Sequence, residues 1–145
     1  MNSGFPDAVA TLTISHAPAR VWAAITDPAD IKQYFFGTEV VTDWQIGQPI
    51  VWRGEWQGKS FEDHGKVLEF EPLQRFSVTH YSPLTGLPDL PENYHTVTYA
   101  VEPTADGTTL TIRQSRNRSE GEAAESEKLW RMVLDNLNQY LARNN

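Results

Sequence analysis

The last quarter of the chain carries one uninterrupted helical pattern, over residues 122–143. Trp130, Val133, Leu134, Leu137 and Leu141 recur at three- and four-residue spacing, with Ala123 and Ala124 ahead of them and Tyr140 beside them. About 22 residues at roughly 1.5 Å each form a rod of about 33 Å, enough to cross a small domain. Ser119-Glu120-Gly121-Glu122 supplies a capping box and an acidic first turn, which the helix dipole favours. A rod with one apolar stripe must cover it, and the chain before it offers a run of short strands. The expected architecture is α+β: a curved antiparallel sheet of about six or seven strands wrapped around the terminal helix, an arrangement that can leave a hollow between the two.

Alternation and turn chemistry divide the earlier chain. Residues 8–15 read as a strand. Pro18 opens a short helix with Val21, Trp22 and Ile25 as its stripe, and Asp27-Pro28 interrupts the helical path before a second helix over 29–34. Residues 39–44 read as a strand. In residues 49–56, Ile50, Trp52, Gly54 and Trp56 share one face, while Val51, Arg53 and Glu55 share the other. Gln57-Gly58-Lys59 turns the chain into a long strand over 60–70, where Gly65 is expected to mark a bulge. Residues 75–81 pair back, with Phe76, Val78 and His80 aligned. Residues 82–93 hold three prolines and one glycine, too stiff and too long for a tight turn, so an ordered loop is expected. Two more strands, 95–102 and 109–114, flank the Asp106-Gly107 hairpin signal; Val97, Tyr99 and Val101 align on the first, and Leu110, Ile112 and Gln114 on the second.

With 145 residues and no linker or repeat, the sequence predicts one domain over 1–145, residues 1–7 being a frayed leader. The absence of cysteine excludes disulfides and thiolate chemistry. Lys and Arg number 12 against 19 Asp and Glu, a net charge of −7. Nucleic-acid binding rests on a basic face, so that class is set aside. No apolar run approaches a membrane span and the N-terminus lacks the layout of a signal peptide, so a cytoplasmic protein without membrane insertion is expected.

The segment Pro18-Ala19-Arg20-Val21-Trp22-Ala23-Ala24-Ile25-Thr26-Asp27-Pro28 resembles the START-like (SRPBCC) superfamily, where such a helix ends in a Thr-Asp/Asn-Pro turn. Two further stretches are Gly65-Lys66-Val67-Leu68-Glu69-Phe70-Glu71-Pro72 and Arg75-Phe76-Ser77-Val78-Thr79-His80. They are similar to a strand pair of the branch homologous to the activator of a heat-shock chaperone ATPase (AHSA-like). Trp130, Leu134, Leu137 and Tyr140-Leu141 fit that branch's last helix, and the resemblance runs from Ala8 to Leu141. One departure is Tyr34-Phe35, where the branch usually carries Trp. The resemblance implies a helix-grip fold with two short helices after the first strand. Superfamily members bind lipids, sterols, phenolics or polyketides, and a few catalyse ring closure or hydrolysis. The eukaryotic chaperone activator also uses a separate N-terminal domain, and the single domain expected here argues against that role.

On that fold, alternation places Trp52, Trp56, Phe76, Val78, His80, Val97, Tyr99, Leu110, Ile112 and Gln114 on the inner face. Trp130, Val133 and Leu137 face them from the helix, and Phe35 and Phe36 stand near the entrance. Aromatic walls with a few polar groups suit an apolar small molecule held by one or two hydrogen bonds. The same residues also suit a filled core. Glu55, Glu62 and Asp63 read as a solvated sheet exterior. The four histidines show no metal-ligand spacing, and no nucleophile or phosphate-loop motif occurs, so neither metal nor cofactor is expected. Three functions follow: non-enzymatic binding of a small hydrophobic or aromatic molecule, lipid-, sterol- or polyphenol-like; partnership with a chaperone; or a cyclase- or hydrolase-like activity with His80 or Tyr99 as proton donor. The loop over 82–93 is either a lid near the cavity mouth or a plain rigid connection.

Overall fold

In a computed structural model, which describes residues 4–143, the strands are β1 (Ala8–Ile14), β2 (Glu39–Val41), β3 (Pro49–Trp56), β4 (Lys59–Glu71), β5 (Arg75–His80), β6 (His95–Thr104) and β7 (Gly107–Ser115). They form one antiparallel sheet in the order β1-β7-β6-β5-β4-β3-β2. The helices are α1 (Pro18–Thr26), α2 (Pro28–Tyr34) and α3 (Glu120–Arg143). α1 and α2 carry the chain from one sheet edge to the other, and α3 lies against β1, β7 and α2. This is the expected α+β helix-grip.

Local chemistry sets the boundaries. Pro18 opens α1, and Asp27, extended ahead of Pro28, closes it. Asp27 then caps α2, its Oδ1 accepting from the Ala29 N–H at 2.9 Å. Gln57 and Gly58 both have positive φ (51° and 81°), so the β3–β4 connection is a two-residue turn that sets Trp56 opposite Lys59. α3 begins at Glu120, two residues earlier than the periodicity showed, because Ser119 Oγ accepts from the Glu122 N–H at 2.9 Å and draws the acidic turn into the helix.

Three expectations change. β2 ends at Val41 rather than Trp44: the Thr42 side chain takes the Trp44 N–H, and Trp44 turns to φ 59°. The β4 bulge falls between Val67 and Glu69, not at Gly65. Gly65 serves close approach instead, since a Cβ there would sit 1.7 Å from the Thr79 carbonyl oxygen. Of the expected leader, residues 1–3 lie outside the described residues; Pro6 accepts from Asn117 at 3.0 Å, and Asp7 pairs with Arg113 at 3.2 Å.

The interior has a solid half and a hollow half. Where α3 meets β1 and β7, Ile14, Leu110, Ile112, Val133, Leu134, Leu137 and Leu141 are closed off from solvent. Beneath α1, a cluster of rings continues the filled region: Phe76 stacks on Tyr99 at 4.6 Å between centroids, Trp44 lies 4.7 Å from Phe76, and Trp22 lies 5.5 Å from Phe70. The hollow lies beyond these rings.

Candidate functional site

A cavity of about 280 Å³ opens among α2, the β3–β6 face of the sheet and the middle of α3. Its walls include Phe35, Phe36, Trp52, Trp56, Phe76, Val78, His80, Val97, Tyr99, Gln114 and Trp130, all named from the sequence. Leu110, Ile112, Val133 and Leu137 do not reach it. They sit in the solid half, because α3 lies directly on β1 and β7 and leaves no gap there. The hollow forms where the curved sheet departs from the helix.

Ring-to-ring contacts hold the wall in place. Trp130 meets Tyr99 and Phe35 edge-on, at 5.9 Å and 5.8 Å, and Phe36 meets Trp56 edge-on at 5.2 Å. Trp56 and Leu84 are exposed and border the hollow, so they mark its mouth. Leu84 belongs to the proline loop, which is ordered by two 3₁₀ turns at Pro83–Thr85 and Pro91–Asn93. The loop is anchored: Tyr81 donates to the Leu87 carbonyl at 2.6 Å, and His64 Nε2 sits 2.9 Å from Asp89. Tyr94 donates to Asp89. Burial and that carboxylate push the Tyr94 hydroxyl up to about 12, while the hydrogen bond from Tyr94 holds Asp89 below its ordinary value.

Two kinds of polar group on the wall contrast. Some are fully engaged. Gln114 accepts from Trp130 Nε1 at 3.0 Å and donates to Asn117 and Ser126, both at 2.9 Å. Tyr34 donates to the Ala24 carbonyl at 2.9 Å. Burial raises the Tyr34 and Tyr99 hydroxyls above their ordinary range, so both stay protonated at neutral pH.

The other kind is the pair Asp63–His80. Asp63 Oδ2 lies 2.8 Å from His80 Nε2, and Asp63 Oδ1 is buried with no protein partner. The Trp52 ring meets His80 edge-on at 5.0 Å. Asp63 therefore belongs to the interior, where its sequence neighbourhood suggested a solvated exterior; Glu62, beside it, is exposed as expected, and it pairs with Arg53. A signal for Asp63 was present. The two-residue turn at Gln57-Gly58 fixes Trp52 opposite Asp63, and cross-strand partners share a face. Trp44, Thr38, Val40 and Phe61 also line the hollow without having been anticipated. Trp44 arrives through its positive-φ turn, with Nε1 donating to the Thr26 carbonyl at 2.9 Å.

Just outside the hollow, His95 pairs across the sheet with His80 and lies 3.1 Å from Glu122 of α3. Burial lowers the His95 imidazole, outweighing the pull of Glu122. Burial acts to raise Glu122, yet hydrogen bonds from the Arg118 backbone and His95 hold its carboxyl below the ordinary value. No group of residues among those described is arranged to hold a metal ion, and no described helix is long and apolar enough to cross a membrane.

Comparison with known proteins agrees with this architecture. The solution structure of ChR145 from Cytophaga hutchinsonii is 41% identical, with a TM-score of 0.83 over 96% of this chain and 95% of that one. Protein MLL2253 from Mesorhizobium loti is 25% identical, with a TM-score of 0.78 over 97% of this chain and 99% of that one. DynU16, a putative protein in the dynemicin biosynthetic locus, shares the fold at 22% identity and a TM-score of 0.79; 96% of this chain covers 48% of that one. None of the curated proteins matches significantly. The model of the family described as Activator of Hsp90 ATPase homolog 1-like protein matches residues 15–142, and with nearly the whole chain so covered, this protein belongs to that family.

Proposed function

We propose that the chain binds a small hydrophobic or aromatic molecule, lipid-, sterol- or polyphenol-like, in the hollow between sheet and terminal helix, without chemistry of its own. One observation carries this reading: about 280 Å³ of ring-walled space stands open beside a core that is otherwise filled. Empty apolar volume costs stability, by roughly 24 cal/mol per Å³ in engineered cavities. A guest that fills the space offsets that cost. The volume sits just below the usual range for small-molecule sites, roughly 300–1,000 Å³, and so favours a body of two or three fused rings over a full sterol.

The test is a panel of fused-ring aromatics, flavonoid-like compounds, fatty acids and sterols, followed by Trp fluorescence and by chemical shifts of the indole N–H groups. Saturable perturbation of Trp52, Trp56 and Trp130 at sub-millimolar ligand is expected. If no compound perturbs them, the reading fails.

A partner-protein role is the second reading, supported by the family match and by exposed Trp56, Leu84 and Leu129 bordering the mouth. Addition of the protein to its host's Hsp90-type chaperone, with ATP turnover as readout, tests it; unchanged turnover removes it.

A further inference from the structure

We propose that the Asp63–His80 pair selects the guest, accepting a hydrogen bond from an uncharged hydroxyl carried on its apolar body. The inference rests on the ligand-binding reading and narrows it.

The pair keeps hydrogen-bonding valence that the protein does not use. Gln114 and Tyr34 have their hydrogen bonds committed to protein partners. His80 is different. With Nε2 directed at a carboxylate oxygen 2.8 Å away, the neutral ring carries its proton on Nε2. Nδ1 is then an acceptor, and among the described residues nothing donates to it. The ring lines the hollow, and its side chain is 30% exposed. The second member, Asp63, contributes its negative charge behind the ring. Asp63 Oδ1 is a buried acceptor that no protein group satisfies, a costly feature in a wall made mostly of rings.

Geometry fixes the pair. Asp63 is set by its register opposite Trp52, and His80 by its register opposite His95. The edge of Trp52 restricts the imidazole. A carboxylate behind a neutral imidazole presents acceptors only, so it attracts a donor and repels an anion. An O–H group on a fused-ring body meets that demand. A fatty acid, ionised at neutral pH, does not.

Three probes of nearly equal size separate the cases: 2-naphthol, 2-methoxynaphthalene and 2-naphthoate. They are titrated into the full chain by calorimetry at about pH 8, above the ordinary imidazole range. The native protein is expected to bind 2-naphthol roughly tenfold more tightly than the methyl ether, as one hydrogen bond in a dry site allows, and 2-naphthoate most weakly. His80→Phe keeps a ring in the wall, and the two neutral probes should then bind within about twofold of each other. Asp63→Asn keeps the shape without the charge, and the penalty on 2-naphthoate should shrink. Equal binding of the two neutral probes by native protein overturns the inference and leaves the ligand-binding reading intact. So does tightest binding of 2-naphthoate, or a hydroxyl preference that survives in His80→Phe. If none of the three binds, the inference falls, and the wider panel decides the ligand-binding reading.

Discussion

Trp130 Nε1 donates to Gln114 Oε1 at 3.0 Å, tying the middle of the terminal helix to the end of the last strand. The amide that receives this bond is spent on both sides, since its nitrogen reaches Asn117 and Ser126. One side chain thus couples the helix, the strand and the connection between them, and it does so at the wall of the hollow. The position of Trp130 against Tyr99 and Phe35 follows from that coupling.

Replacing Gln114 by Met keeps the volume and removes the acceptor of the Trp130 N–H, along with the donor to Asn117 and Ser126. A buried donor left unsatisfied costs about 1–3 kcal/mol, so Gln114→Met should lose about that much in urea unfolding. An unchanged midpoint would show that the amide is ornamental.

The two halves of the interior should respond oppositely to added bulk. Val133 is 1% exposed in the solid half, and Val133→Phe should cost about 1–3 kcal/mol through overpacking. Val97 is nearly as buried but faces open space, so Val97→Phe should cost less than about 1 kcal/mol and abolish binding of any fused-ring probe. Thermal unfolding and Trp fluorescence of the two variants, side by side, check both halves. Similar losses in both would mean that the cavity closes up in solution.

The fold was legible because period-2 and period-3.6 patterns change over cleanly at turn residues. Trp52, Val78 and Tyr99 could be placed on the inner face from alternation alone. What alternation cannot give is how closely two layers approach. Leu110 and Ile112 have the same inward phase as Gln114 on β7, yet α3 closes over the first two, and only Gln114 meets the hollow. Curvature of the sheet decides that difference, and curvature is set by pairing, not by local pattern. Asp63 was misplaced for a related reason. Its charge suggested solvent, while its register, fixed by the turn at Gln57-Gly58, put it opposite Trp52. The Val67–Glu69 bulge was hidden because it involves no glycine.

Gly65 invites a direct test of close approach. Its Cβ position is occupied by the Thr79 carbonyl oxygen at 1.7 Å, and that atom is backbone with no rotamer to yield. Gly65→Ala should therefore force β4 and β5 apart and cost about 3 kcal/mol or more, a value at the severe end for a single methyl group. Amide exchange should accelerate first at the His64–Tyr81 bridge, the adjoining contact between these strands. Native-like stability with unchanged exchange would mean that the two strands are not so close.

The His95 site makes stability depend on pH in a definite direction. Burial lowers its imidazole from the ordinary 6.5, against the pull of Glu122, and the charges of Arg118 and His80 act in the same direction as burial. A base that is harder to protonate when folded takes up its proton more readily in the unfolded chain. Its contribution is therefore intact above about 6.5, is lost as pH falls through that value, and levels off once the folded imidazole also titrates. Glu122 acts in a lower window: its carboxyl is held below 4.5, so its contribution is lost only on further acidification. His95→Gln retains an N–H donor for Glu122 and removes the titration. Between about pH 7.5 and 5.5, across the ordinary imidazole range, the unfolding midpoint of the native chain should fall more steeply than that of the variant. The remaining histidines are common to both proteins, so the difference between the two curves isolates His95. Parallel curves across this range would contradict the buried, neutral state assigned to it.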